Sequence, residues 1–215
     1  TTLDQAIIDS DVFIGLSTSD ILTPLMLNKM AENPIVFAMA NPDPEINYKL
    51  AVSTRDDVIM ATGRSDNPNQ VNNVLGFPFI FRGALDVGAS EINDDMKLAC
   101  IDALAELARA TSSAEAAEAY RGEIMSFGPE YLIPKPFDPR LMGVVASAVA
   151  RAAMDSGVAT RPVKDFDAYQ ESLDNSVSKS ALVMRPVLML RQYSLEELCL
   201  QKEKAREFSE LLQQY

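Results

Sequence analysis

Histidine and tryptophan are absent from the 215 residues, and only two cysteines and nine glycines occur. Without histidine there is no Ser-His-Asp triad, no Cys–His pair and no histidine-ligated zinc within this polypeptide. Acid–base chemistry therefore falls to carboxylates, lysine, tyrosine or cysteine, or to groups this chain does not carry. Cys100 and Cys199 lie far apart, each in a helix-like pattern, so two free thiols in a reducing cytoplasm are expected. Basic residues are scarce as well: 19 Lys and Arg against 31 Asp and Glu leave a net charge of -12. No basic stripe is available to neutralise phosphates, which argues against a nucleic-acid partner. No apolar run approaches the roughly 20 residues that span a bilayer, and no signal peptide opens the chain, so no membrane partner is expected.

What is present is ordinary for a globular protein: 47% hydrophobic and 23% charged residues, enough to bury a substantial core. Three short apolar runs recur early, Asp11 to Ser17, Pro34 to Ala40 and Asp57 to Thr62. None alternates, as expected of strands buried on both faces of a parallel sheet. Ser19 to Asn33 lies between the first two and reads as helical. Asn41 to Thr54 follows, with Pro44 suited to a first helical turn and Asp43 to the cap before it. The order strand, helix, strand, helix, strand is a βαβαβ unit with right-handed crossovers.

Thr1 to Ser10 reads as the end of a helix feeding the first strand. A complete dinucleotide-binding domain opens with a strand and a G-x-G-x-x-G turn, and the chain contains neither at its start. The expected fold is the later part of a Rossmann-like, doubly wound α/β sheet with flanking helices and a C-terminal helical extension. Further helices are predicted over Phe77 to Val87, Ile92 to Ala110 and from Asp138-Pro139 through Met154, with Gly157 as a stop. Phe127 to Pro139 holds four of the twelve prolines and reads as an extended connector. The expected organisation is a partial domain over 1–160, a connector over 161–193 and an amphipathic helix over 194–215, opened by a Ser194/Glu197 capping box. A truncated sheet of this kind predicts an exposed edge and apolar face, hence a homo-oligomer or association with an upstream domain.

The segment from Ala61 to Val87, ATGRSDNPNQVNNVLGFPFIFRGALDV, is the strongest candidate for a ligand loop. It leaves the carboxyl end of a buried strand, where open α/β sheets place their ligands. Asn72 and Asn73 offer neutral donors and acceptors suited to a small polyoxygenated anion; the alternative is an exposed helix-start loop. Asn41 also follows a strand, and taken alone the helix-cap reading is favoured over ligand binding. Gly15, Leu16 and Ser17 end the first strand either as a plain turn or as a place of cofactor approach. Arg64 and Asp66 are expected to pair and hold the loop. Arg82 is read as either a structural pair or a carboxylate clamp, Lys135 as solvated, and Asp94-Asp95 as favouring a helix dipole. No Asp/Glu grouping has metal-ligand spacing.

The strings VFAMANPDPE (Val36 to Glu45), the Ala61 to Val87 segment and LIPKPFDPRL (Leu132 to Leu141) resemble the cofactor-binding domain of bacterial-type malic enzymes. The resemblance runs from Asp11 to about Tyr169, and KSALVMRPVL (Lys179 to Leu188) resembles the join to a phosphotransacetylase-like domain in long members. It implies oxidative decarboxylation of malate to pyruvate and carbon dioxide, with hydride passing to NAD or NADP. By the family pattern, Asn41 and Asn73 contact the malate carboxylates, with Asn41 also near the nicotinamide. Asn72 supports the site, and Leu16 and Ser17 approach the cofactor. The family's tyrosine and lysine for acid–base catalysis, its ligands for Mg²⁺ or Mn²⁺ and its glycine-rich turn lie upstream, and none is in this chain. No catalytic residue and no metal ligand is therefore expected here, and the chain alone is expected to be inactive. Two rivals remain: a non-catalytic interaction module derived from such a domain, and another dehydrogenase of the same architecture.

Overall fold

The structure is a computed structural model that describes residues 2–110 and 126–176. The chain divides into two compact units, Thr1–Gln170 and Glu171–Tyr215. The expected helix over Ser194 to Tyr215, Cys199 and the join at Lys179 to Leu188 lie outside the described residues.

In the first unit, a short helix α1 (Leu3–Ala6) leads into β1 (Val12–Gly15), as the opening residues predict. β2 (Ile35–Ala38) and β3 (Ile59–Thr62) join it in one parallel sheet of order β1-β2-β3. Phe13, Val36 and Met60 stand side by side across the three strands. Successive side chains point to opposite faces, so these three share one face of the sheet. They are buried with Leu22, Leu27, Ile46 and Ala51 from the crossover segments. The other face is covered only in part, which departs from strands buried on both faces but matches the bare apolar face expected of a truncated sheet: Ala61 is buried there, whereas Ile14 on the edge strand β1 is 62% exposed.

The crossovers are less helical than their sequences suggest. Of Ser19 to Asn33, only α2 (Pro24–Leu27) is helical, opened by Thr23, whose hydroxyl accepts from the Met26 amide at 3.2 Å. Asp20 and Asn33 have positive φ, which breaks the helix on either side. Arg55 also takes the carbonyls of Leu27, Met30 and Ala31 at 2.9–3.1 Å, and beyond α2 the Leu27 carbonyl accepts from Met30 at 3.3 Å in a tighter turn than an α-helix makes. Likewise α3 begins not at Asp43-Pro44 but at Tyr48 (Tyr48–Thr54), capped by the Asn47 carboxamide, which accepts from Lys49 and Leu50. The preceding residues are held elsewhere: the amides of Asp20 and Leu22 donate to the carbonyls of Pro44 and Glu45.

After the sheet, α4 (Phe77–Asp86), α5 (Asp94–Arg109) and α6 (Arg140–Asp155) pack as a helical layer. Asn93 caps α5 by accepting from Met96, and Asp94 and Asp95 occupy its first turn, as the dipole argument expects. The buried stripe of α5 runs through Met96, Cys100, Ala103 and Leu107, whereas Ile101 is exposed. Cys100 is a free thiol whose pKa burial pushes up, so it is an inert core residue. The small face of α6 (Gly143, Ala146, Ser147, Ala150) is buried as its composition predicts. It admits α4 so closely that a Cβ on Gly83 would lie 2.5 Å from the Ala146 carbonyl oxygen. Gly157, with φ +76, ends the run.

Candidate functional site

The carboxyl ends of the three strands are knitted together by polar groups. Thr62, fully buried at the end of β3, accepts the Val71 amide on its carbonyl at 2.8 Å. Its hydroxyl accepts from the Arg64 amide and the Asn67 carboxamide at 3.3 and 3.1 Å. Residues 63–71 are thereby folded back on the strand that launches them. Arg64 and Asp66 pair at 2.8 and 2.9 Å, which raises the pKa of the guanidinium and lowers that of the carboxyl. That pair is exposed and holds loop shape, as the sequence suggests.

Asn69 is the buried latch of the same loop, in left-handed conformation at φ +53. Its Nδ2 donates to the carbonyls of Met60 and Pro129, and its Oδ1 accepts from the Leu132 amide. The loop over 63–71 and the proline-rich connector are one structure for this reason. A cleft of about 850 Å³ runs between them, lined by Asn67, Gln70, Tyr131 and Lys135 among others. A second hollow, around Arg55 and Asp57, has its cation committed to three carbonyls and an ion pair, so it reads as structural.

The two adjacent amides separate in role. Asn72 caps the single 3₁₀ turn Asn73–Leu75, its Oδ1 accepting from the Val74 amide at 3.0 Å. Asn73 is exposed, and its carboxamide has no hydrogen bond to another described residue. Asn41 is likewise exposed and unpaired among the described residues, so the cap reading favoured for it fails; Asn47 does that work. Met39 and Val71, each two residues before one of these amides, both approach Gly63: a Cβ there would lie 3.9 Å from the Val71 carbonyl and 4.0 Å from that of Met39. Leu16 and Ser17 stand exposed past the end of β1. Arg82 pairs with Asp86 at 2.6 Å, and Asp86 also accepts from Tyr169, so the structural reading of Arg82 holds.

Glu45 is the residue sequence reasoning missed. It is fully buried, with one carboxyl oxygen accepting from the Ser17 amide at 3.1 Å and the other from Ala40 at 3.0 Å. Gly15 makes room for it: a Cβ there would lie 2.3 Å from the Glu45 Cδ. The plain-turn reading of Gly15 thus gains a definite cause, packing of this side chain. The only local signal is an acid placed straight after Asn-Pro-Asp-Pro, too short to take part in a helix.

These strand-end amides and turns occur within strings that have close counterparts elsewhere. The family profile "Malic enzyme, NAD binding domain" matches residues 2–120. The chain belongs to the malic enzyme family. The NADP-dependent malic enzyme of Salmonella typhimurium is 59% identical over 186 residues, covering 86% of this chain and 24% of that protein. The NAD-dependent malic enzyme of Rhizobium meliloti is 55% identical over 185 residues, again 86% of this chain and 24% of that protein. Among solved structures, Entamoeba histolytica malic enzyme superposes with a TM-score of 0.73 at 32% identity, covering 95% of this chain and 40% of that one. The chain thus spans about a quarter of the length of the curated relatives it matches. The α/β fold with a parallel sheet is common to this chain and its structural neighbours.

Proposed function

We propose that this chain supplies the substrate-holding and cofactor-facing side of a malic enzyme active site. The reaction is oxidative decarboxylation of malate to pyruvate and carbon dioxide, with hydride passing to NAD or NADP. One observation carries the reading: the exposed Asn41 and Asn73 carboxamides make no hydrogen bond to another described residue and lie in the segments that follow the carboxyl ends of the neighbouring strands β2 and β3. Open α/β sheets bind ligands at such strand ends. Neutral amides donate to a dicarboxylate without a fixed positive charge that would favour its ground state over the transition state.

The residues present fit one end of a nicotinamide cofactor. Leu16 offers an exposed apolar surface for a ring face, and Ser17 and Asn41 offer polar groups beside it. The bound cofactor would supply the hydride acceptor; the chain's own part is to orient it against the substrate. No group of three acidic or thiol side chains converges among the described residues, so no metal-dependent step is assigned to them. Glu45 and Asp66 are committed to backbone amides and to Arg64, leaving neither placed as an acid or base. Asn72 supports the site by shaping the turn that displays Asn73. Oligomerisation through the bare face beside Ile14, in the cytoplasm, completes the reading.

The test is a chimaera in which the matching 186-residue segment of the Salmonella typhimurium relative is replaced by the one from this chain. Malate-dependent reduction of NAD or NADP by the chimaera is expected, with KM for malate raised by about ten-fold or more on Asn73→Ala. A folded chimaera without that activity would overturn the reading. The 215-residue chain by itself is expected to show none.

A further inference from the structure

Glu45 occupies an unusual place for an acid. Its backbone is pinned from below, where the Leu22 amide donates to its carbonyl at 3.0 Å and the Asp20 amide to that of Pro44 at 3.2 Å. Its side chain then crosses over Gly15 and reaches two amides that no strand partner serves. Ser17 belongs to the turn after β1 and Ala40 to the turn after β2, beyond the last paired residues Gly15 and Ala38. The parallel ladder has run out at this level. Orphan amides at a strand end normally turn to water or to a ligand, because each needs a partner when buried. Here one carboxyl group takes both.

We propose that Glu45 is a positioning residue that sets the cofactor-facing and substrate-facing turns in a single register. Ser17 and its neighbour Leu16 stand on one oxygen; Ala40, directly before Asn41, stands on the other. A shift of either turn is transmitted through a rigid planar group only a carboxyl width across. Gly15 is the second half of the device, since any side chain there would evict the Glu45 carboxyl from its seat. This assignment rests on the proposed malate and nicotinamide roles of Asn41, Leu16 and Ser17. The clamp itself stands on geometry alone.

Two measurements on the full chain separate those layers. The first is amide hydrogen exchange, resolved by residue, in Glu45→Gln and Glu45→Ala. The Gln variant keeps the size but turns an N–H donor toward one of the two amides. Loss of these hydrogen bonds should speed exchange at Ser17 and Ala40 by about ten-fold or more. Exchange at Phe13, Val36 and Met60 should stay unchanged. Uniform acceleration through all three strands would show that Glu45 merely fills the core, and no acceleration would show that it clamps nothing; either overturns the proposal. Gly15→Ala should reproduce the local effect, and Gly15→Ala with Glu45→Ala should exchange no faster than Glu45→Ala alone, because the methyl group then has room.

The second measurement titrates NADP⁺ and malate separately while following the amide signals of Leu16, Ser17 and Asn41. Wild-type chain should shift these signals, and Glu45→Gln should weaken both ligands together by about ten-fold. Equal affinities in the two proteins would overturn the positioning role. If the wild-type chain binds neither ligand, the reading of the site fails, and the exchange measurement still decides the clamp.

Discussion

The Asn69 side-chain oxygen lies 2.7 Å from the Leu132 amide nitrogen, tying the loop after β3 to a connector 63 residues further along. The same side chain's nitrogen sits between the carbonyls of Met60 and Pro129. Asn69→Gly keeps the left-handed backbone but strands these buried groups, so a loss of about 2 kcal/mol in denaturant unfolding is expected. Asn69→Asp should cost more, because it sets an oxygen against two carbonyl oxygens. Equal stability of all three proteins would contradict the latch.

Gly83→Ala tests the contact between α4 and α6. Alanine gains about 0.8–1.0 kcal/mol over glycine in a helix interior. Its methyl, however, would sit 2.5 Å from the Ala146 carbonyl and 3.0 Å from the Ala150 nitrogen, both backbone atoms that cannot rotate away. Overpacking of this sort costs about 1–3 kcal/mol, so the clash should win and the melting temperature should fall. Gly128→Ala, whose nearest neighbour is 4.0 Å away, should leave it unchanged.

Acid should loosen the end of the molecule opposite the candidate site. Hydrogen bonds from Arg55 and from the Asn33 amide hold the Asp57 carboxyl at about 2, below its ordinary 3.8. A depressed carboxyl pKa contributes stability that is fully present above the unfolded value and is lost as pH falls through the folded one. Melting followed between pH 5 and about pH 2 should therefore show a steeper decline in wild type than in Asp57→Asn. Parallel profiles would remove Asp57 from the account.

Asn72 and Asn73 should part company when each becomes alanine. Asn72→Ala loses a cap and is expected to cost about 1 kcal/mol in stability. Asn73→Ala touches no internal bond and should lie within about 0.5 kcal/mol of wild type. In the chimaera, Asn73→Ala should raise KM for malate by about ten-fold or more through a lost hydrogen bond. The reverse pattern, with Asn73 the stabilising residue, would exchange their roles.

The strands were legible in the sequence because an apolar run needs only its own composition to demand burial. Helix starts near Ile92 and at Asp138-Pro139 were equally local, since the Asn93 and Asp138 side chains accept from amides two or three residues further on. Asn72, read from its neighbours as either a ligand group or part of a helix-start loop, is a cap in fact. The crossovers were not legible. Asp43-Pro44 and Asn47 are both sound starts for a helix, and the choice fell to Asn47 because residues 20–22 hold the Pro44 and Glu45 carbonyls. Ser19 to Asn33 was cut short by Arg55, which stands more than twenty residues away in the chain.

By itself, then, the sequence determined the α/β order, the three longer helices after the sheet and the loop that bears Asn72 and Asn73. Only the tertiary structure decided which polar side chains are spent on the fold and which find no partner among the described residues. Asn41 and Asn73 are open, while Asn69, Asn72 and Glu45 are engaged. The physical reason is distance along the chain. A side chain's role depends on whether a partner reaches it, and the partner of Glu45 at Ser17 lies 28 residues away, where no local pattern registers it.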